Sequence, residues 1–184
     1  MSEYSQLCRI LDKSFLSPSQ EWMIESKGTH KPQKVQLDKT GRRNIVSALY
    51  RFDLDVTEFL PFFNQSDESP EGLRKFCDYV LLVDLNGKPY VFLIEMKRGA
   101  SADAEKQLKA SQTFMEYIYS SAERLHEDFG DEPFNRNNIV TRKVKLKECK
   151  SSKLLTKGRG TIDKTQEFIT FNSVGIFPIA RFLD

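Results

Sequence analysis

The sequence predicts a mixed α/β fold in which helices cover a central mixed β-sheet, and three observations carry that expectation. Two apolar runs, YVLLVDL and YVFLIEMK, flank Asn86-Gly87, a pair suited to a two-residue hairpin because both central positions of a type I′ turn need positive φ. A segment from 101 to 128 then carries apolar or small residues at 104, 108, 111, 115, 118, 122 and 125. Those steps of four and three make one continuous core-facing seam, so a long helix is expected. The stretch NIVTRKVKLK, at 138–147, puts Lys143, Lys145 and Lys147 on one face and Val144 and Leu146 on the other. That alternation reads as a half-exposed strand.

The remaining elements follow in order. Leu7, Leu11 and Phe15 stand at helical spacing within residues 5–16. The polar stretch 17–41, punctuated by Pro and Gly, leaves room for one short strand at 34–37. Residues 44–52 and 56–63 read as helices, the second opened by Asp55 with Glu58 three residues on, a capping box. Pro61 and the run NQSDESPEG break the chain before the hairpin. In the long helix, Asp103 and Glu105 near the start and Arg124 near the end complement the dipole. Residues 130–138 form a loop, the Ser/Lys/Gly-rich segment 150–161 another, and 167–171 and 174–179 are closing strands. The expected organisation is one domain over 1–184, with a helical portion at 1–75 and a basic portion at 136–184.

Composition narrows the function classes. A hydrophobic share of 39% with 29% charged residues fits a globular chain rather than a disordered one. No apolar run approaches the roughly 20 residues that span a bilayer, so no membrane role is expected. Cys8, Cys77 and Cys149 are odd in number and scattered, with no CxxC spacing. That argues against a disulfide framework and for a reducing, cytoplasmic setting, as does the lack of a secretory pattern at the N-terminus. His30 and His126 are too few for a histidine-rich metal site. Between Arg136 and Lys164, ten Lys or Arg stand against two acids, although the whole chain is only +2. A basic lobe on an otherwise acidic chain points to a polyanionic partner, or to a solvated loop that keeps the protein soluble.

Charges at the ends of the hairpin are its least expected feature. With the turn at 86–87, Leu85 faces Lys88, Val83 faces Tyr90 and Leu81 faces Phe92. Further out, Asp78 falls opposite Glu95 as a non-hydrogen-bonded pair, with β-carbons roughly 5 Å apart. Two carboxylates there repel and are costly to desolvate beside such apolar runs. A divalent cation removes that cost, because hard metals take carboxylate oxygens plus several waters. Lys97, two residues beyond Glu95, lies on the same face, and Met96 points the other way. The competing reading is a strand end where acids and lysines simply meet water.

Asp78, the hairpin, Glu95-x-Lys97 and the helix that follows together resemble the PD-(D/E)XK, or restriction-endonuclease-like, nuclease superfamily. The match covers about residues 76–146. Cys77 stands where a proline often precedes the first acid. Gln107 in SADAEKQLKAS resembles a glutamine carried early in this helix by several branches, including Holliday-junction resolvases and defence-related nucleases. Some members add a helix glutamate, for which Glu21, Glu25 and Glu58 are candidates. The resemblance implies an αβββαβ core and hydrolysis of phosphodiester bonds, in DNA sooner than RNA. By it, Asp78 and Glu95 hold Mg²⁺ or Mn²⁺, Lys97 acts on the attacking water, and Gln107 positions water or substrate. Lys143, Lys145, Lys147, Lys157 and Arg159 would grip phosphates. So small a domain implies a homodimer or a partner subunit. The rivals are a non-catalytic nucleic-acid-binding module on the same fold and an interaction protein whose basic segment docks an acidic partner.

Overall fold

A computed structural model describes residues 2–25, 33–52, 76–97, 103–127, 132–148, 161–163, 167–173 and 175–183. The helix expected at 56–63 with its Asp55/Glu58 cap, the break at Pro61 and the segment 150–160 lie outside those residues, as do Lys157 and Arg159.

The chain opens with α1, Glu3–Ile10, capped by the Ser2 hydroxyl on the Ser5 N–H. A 3₁₀ turn, Lys13–Phe15, replaces the helix's expected continuation, with Asp12 accepting from the Ser14 N–H. Strands β1 (Trp22–Glu25), β2 (Gln33–Asp38) and β3 (Ile45–Arg51) follow. Next come β4 (Tyr79–Leu85) and β5 (Lys88–Lys97), then α2 (Asp103–Leu125), and finally β6 (Val140–Glu148), β7 (Thr161–Asp163), β8 (Ile169–Ser173) and β9 (Ile176–Pro178). The strands form a six-stranded sheet in the order β3-β4-β5-β6-β8-β7 and a three-stranded sheet in the order β1-β2-β9. Both sheets mix parallel and antiparallel pairs. The protein is therefore mixed α/β.

Strands β4 and β5 meet at Asn86 and Gly87, whose φ angles are 53° and 84°. Leu85 pairs with Lys88, and the antiparallel ladder runs outward to Tyr79 opposite Ile94. Alternation then divides the core. Tyr79, Leu81, Val83, Phe92, Ile94 and Met96 belong to one apolar cluster with Met23, Val35 and Phe177 of the small sheet. Val80, Leu82, Val91 and Leu93 join a second cluster with Leu7 of α1 and Leu108 and Met115 of α2. Three layers result, helices over the six-stranded sheet over the three-stranded sheet. Strand β5 is covered on both faces along nearly its whole length.

The helix expected at 44–52 is instead β3, antiparallel to β4 from Ile45 opposite Leu85 to Arg51 opposite Tyr79. Apolar residues at 45, 48, 49 and 52 fit a helical stripe, but β-branched Ile45 and Val46 suit a strand, and the unpaired edge of β4 supplies the partner. Placement beside β4 decides the conformation; local spacing does not. Short β1 and β7 were not expected either. Helix α2 buries Ala104, Leu108, Ser111, Met115, Ile118 and Ala122, the seam read from spacing. Among the described residues, no helix is long and apolar enough to cross a membrane.

Candidate active site

Asp78 sits one residue before β4, and its carbonyl accepts the Phe52 N–H at 2.9 Å, just beyond β3. Opposite it, Glu95 lies near the end of β5. Each carboxylate accepts a backbone N–H from the opposite side of the hairpin. The Asp78 N–H donates to Glu95 Oε2 at 3.1 Å, and the Met96 N–H donates to Asp78 Oδ2 at 2.7 Å. Both residues are buried, Glu95 completely. Lys97 Nζ stands 2.5 Å from Glu95 Oε1, and about a quarter of the lysine side chain reaches solvent. Although that ion pair is short, no donor is aligned with Oε1 as a hydrogen bond. The structure thus brings Asp78, Glu95 and Lys97 together at the end of one hairpin.

Among the described residues, Asp78 and Glu95 lie close to one amine, that of Lys97, and burial makes it costly to hold both acids charged. Burial first, then the neighbouring charge of Asp78, push the Glu95 carboxyl up to about 8, against the pull of Lys97. Burial also works against the Lys97 ammonium, but the close contact with Glu95 and the charges of Glu95, Asp78 and Glu25 outweigh it and raise its pKa. Burial and the charge of Asp78 both favour the protonated form of Glu95 near neutrality. Cys77, fully buried alongside, is pushed up to about 12 by burial and stays a thiol, a poor ligand.

Those features suit a divalent cation. Among the described residues, Glu95 Oε1 is a buried oxygen with no aligned donor, beside a second buried carboxylate. Mg²⁺ commonly takes one or two carboxylates and completes its shell with water. Among the described residues, no group of three His, Cys, Asp or Glu gathers to hold a metal, so the protein's share would come from Asp78 and Glu95. Of the glutamates considered as an addition, Glu21 is exposed, and Glu58 lies outside the described residues. Glu25, at the end of β1, is half-buried, and its charge reaches Lys97. Tyr79 anchors β1 there by donating its hydroxyl to Ile24 O and accepting from Ile24 N–H.

Gln107 does not approach the carboxylates through any described hydrogen bond. Its Nε2 donates to the Phe76 carbonyl at 3.2 Å, two residues before Asp78. The β6 lysines also differ from expectation. Alternation holds, but β6 lies between β5 and β8 with α2 above it, so Lys143 and Lys145 side chains are only 10% and 11% exposed. Lys143 contacts Glu167 and the Gln112 side chain, and Lys145 contacts Glu105. Both ammonium groups lie within 5 Å of the Phe168 ring centre, at 4.9 and 4.8 Å. Lys147 is half-buried. Sequence reading missed Phe168, Glu105 and Glu167 because their role depends on how α2 and β8 close over β6.

Compared with protein-family models, with curated proteins and with solved structures, the chain gives no match.

Proposed function

We propose that this protein is a metal-dependent nuclease of the restriction-endonuclease-like kind, hydrolysing phosphodiester bonds, with DNA the first substrate to test. One observation carries the reading: two interlocked, buried carboxylates face each other at the end of a hairpin with a lysine 2.5 Å from one of them. Asp78 and Glu95 would hold Mg²⁺ or Mn²⁺, which supplies an activated water and neutralises charge on the phosphate. Lys97, partly exposed, would present an ammonium to the attacking water and to the negative charge that develops on the phosphate oxygens. Gln107 supports the strand that carries Asp78. Lys143 and Lys145 are engaged with Glu105 and Glu167, so phosphates would have to replace those carboxylates as their partners.

Incubating the protein with single-stranded, double-stranded and branched DNA and with RNA, in Mg²⁺ or Mn²⁺, tests the reading. Cleavage is expected, and Asp78→Asn should lose it while the fold and nucleic-acid binding remain. Binding without cleavage in either metal would favour the non-catalytic module.

A further inference from the structure

We propose that Ser111, in the middle of α2, is a positioning residue for the Asp78 carboxylate, acting through the Cys77 N–H. The inference deepens the nuclease reading and rests on it for its metal-binding consequence. Ser111 is fully buried in a helix seam otherwise lined by Ala104, Leu108, Met115 and Ile118. A buried hydroxyl is unfavourable there unless it is bonded on both sides. Here it is. The Ser111 hydroxyl donates to the Gln107 carbonyl at 2.9 Å and accepts the Cys77 N–H at 2.8 Å.

Cys77 needs that acceptor. It is fully buried and precedes β4, which begins at Tyr79, so its N–H lies outside the β4–β5 ladder. Gln107, one turn earlier on α2, holds the Phe76 carbonyl, and the Phe52 N–H holds the Asp78 carbonyl. The three residues entering the site are thus held in succession, two of them from α2. A carboxylate one residue beyond that clamp has its position set by it. Asp78 Oδ2 in turn accepts the Met96 N–H, so any drift of Asp78 should be read at that amide.

Two measurements test the role on the full chain. Native-state hydrogen exchange compares the protection of Met96 with that of Val91, deep in the same strand, in the absence of metal. Manganese affinity is followed by electron paramagnetic resonance. In Ser111→Ala, the Met96-to-Val91 protection ratio should fall about tenfold, and Mn²⁺ binding should weaken about ten- to a hundredfold, as for other residues that orient ligands. Ser111→Cys, which keeps a weak acceptor of similar shape, should fall between Ala and wild type. Met115→Ala, which removes a buried side chain one turn further along α2, should lower stability and leave both readouts unchanged. An unchanged ratio in Ser111→Ala, or the same loss in Met115→Ala, would overturn the positioning role. Wild type that takes up no Mn²⁺ would remove the metal reading, and the exchange ratio would still decide the role of Ser111.

Discussion

Glu95→Gln should abolish cleavage, by about a thousandfold or more, and yet make the metal-free protein more stable at alkaline pH. On the proposed reading, the cleavage loss follows from removing one of the two carboxylates that would hold the metal. The stability gain follows from proton linkage. Glu95 has an ordinary value of 4.5 and is raised to about 8 in the folded protein. Between those values the folded state binds more protons than the unfolded one, so stability falls as pH rises through the window. The effect is on the order of 4 kcal/mol between pH 5 and 9. A glutamine keeps the shape and the acceptor for the Asp78 N–H but carries no titratable proton, so the slope should disappear. Urea unfolding of both proteins from pH 5 to 9, without metal, measures it. A wild-type curve that rises with pH across this window would show that Glu95 is ionised in the fold at neutrality.

Lys97→Met separates charge compensation from catalysis. The ammonium lies against Glu95 Oε1, so on the proposed reading lysine and metal would compete for that carboxylate. With methionine there, Mn²⁺ should bind as tightly as in wild type or more tightly, although cleavage should fall about 10²- to 10⁴-fold. Without metal, the variant should lose some stability near pH 6, where Glu95 carries its proton and the charge of Asp78 alone is left without the lysine. At pH 9 the loss should be larger, on the order of 2 kcal/mol, because the buried Glu95 carboxylate is then ionised and has lost its counter-charge. Single-turnover cleavage, metal titration and unfolding at the two pH values together distinguish these effects. Loss of Mn²⁺ binding in Lys97→Met would mean that the lysine builds the site instead of competing for it.

What the sequence revealed and what it hid differ by how local the cause is. The turn at Asn86-Gly87 declares itself through two residues that accept positive φ, and the hairpin register follows by counting. Helix α2 is legible because one seam repeats over 23 residues. Strand β3 was not, because its apolar spacing suits either conformation and only β4 decides between them. The site divides in the same way. Asp78, Glu95 and Lys97 could be placed by counting out from the turn and by strand alternation. The burial of Lys143 and Lys145 could not, since it depends on α2 and Phe168 closing over β6. A serine in an apolar helix seam was the sequence signal for the Ser111 contact, but its partner, Cys77, is 34 residues away.

The central physical claim is that two interlocked acids sharing one lysine hold a proton that a divalent ion can take over. Calorimetric titration of Mn²⁺ into the intact chain at pH 7, in two buffers of different ionisation heat, tests it most directly. Saturable uptake should occur with release of roughly one proton per first ion bound, and it should be lost in Asp78→Asn. Absence of uptake, or uptake that releases no proton and survives Asp78→Asn, would contradict the account.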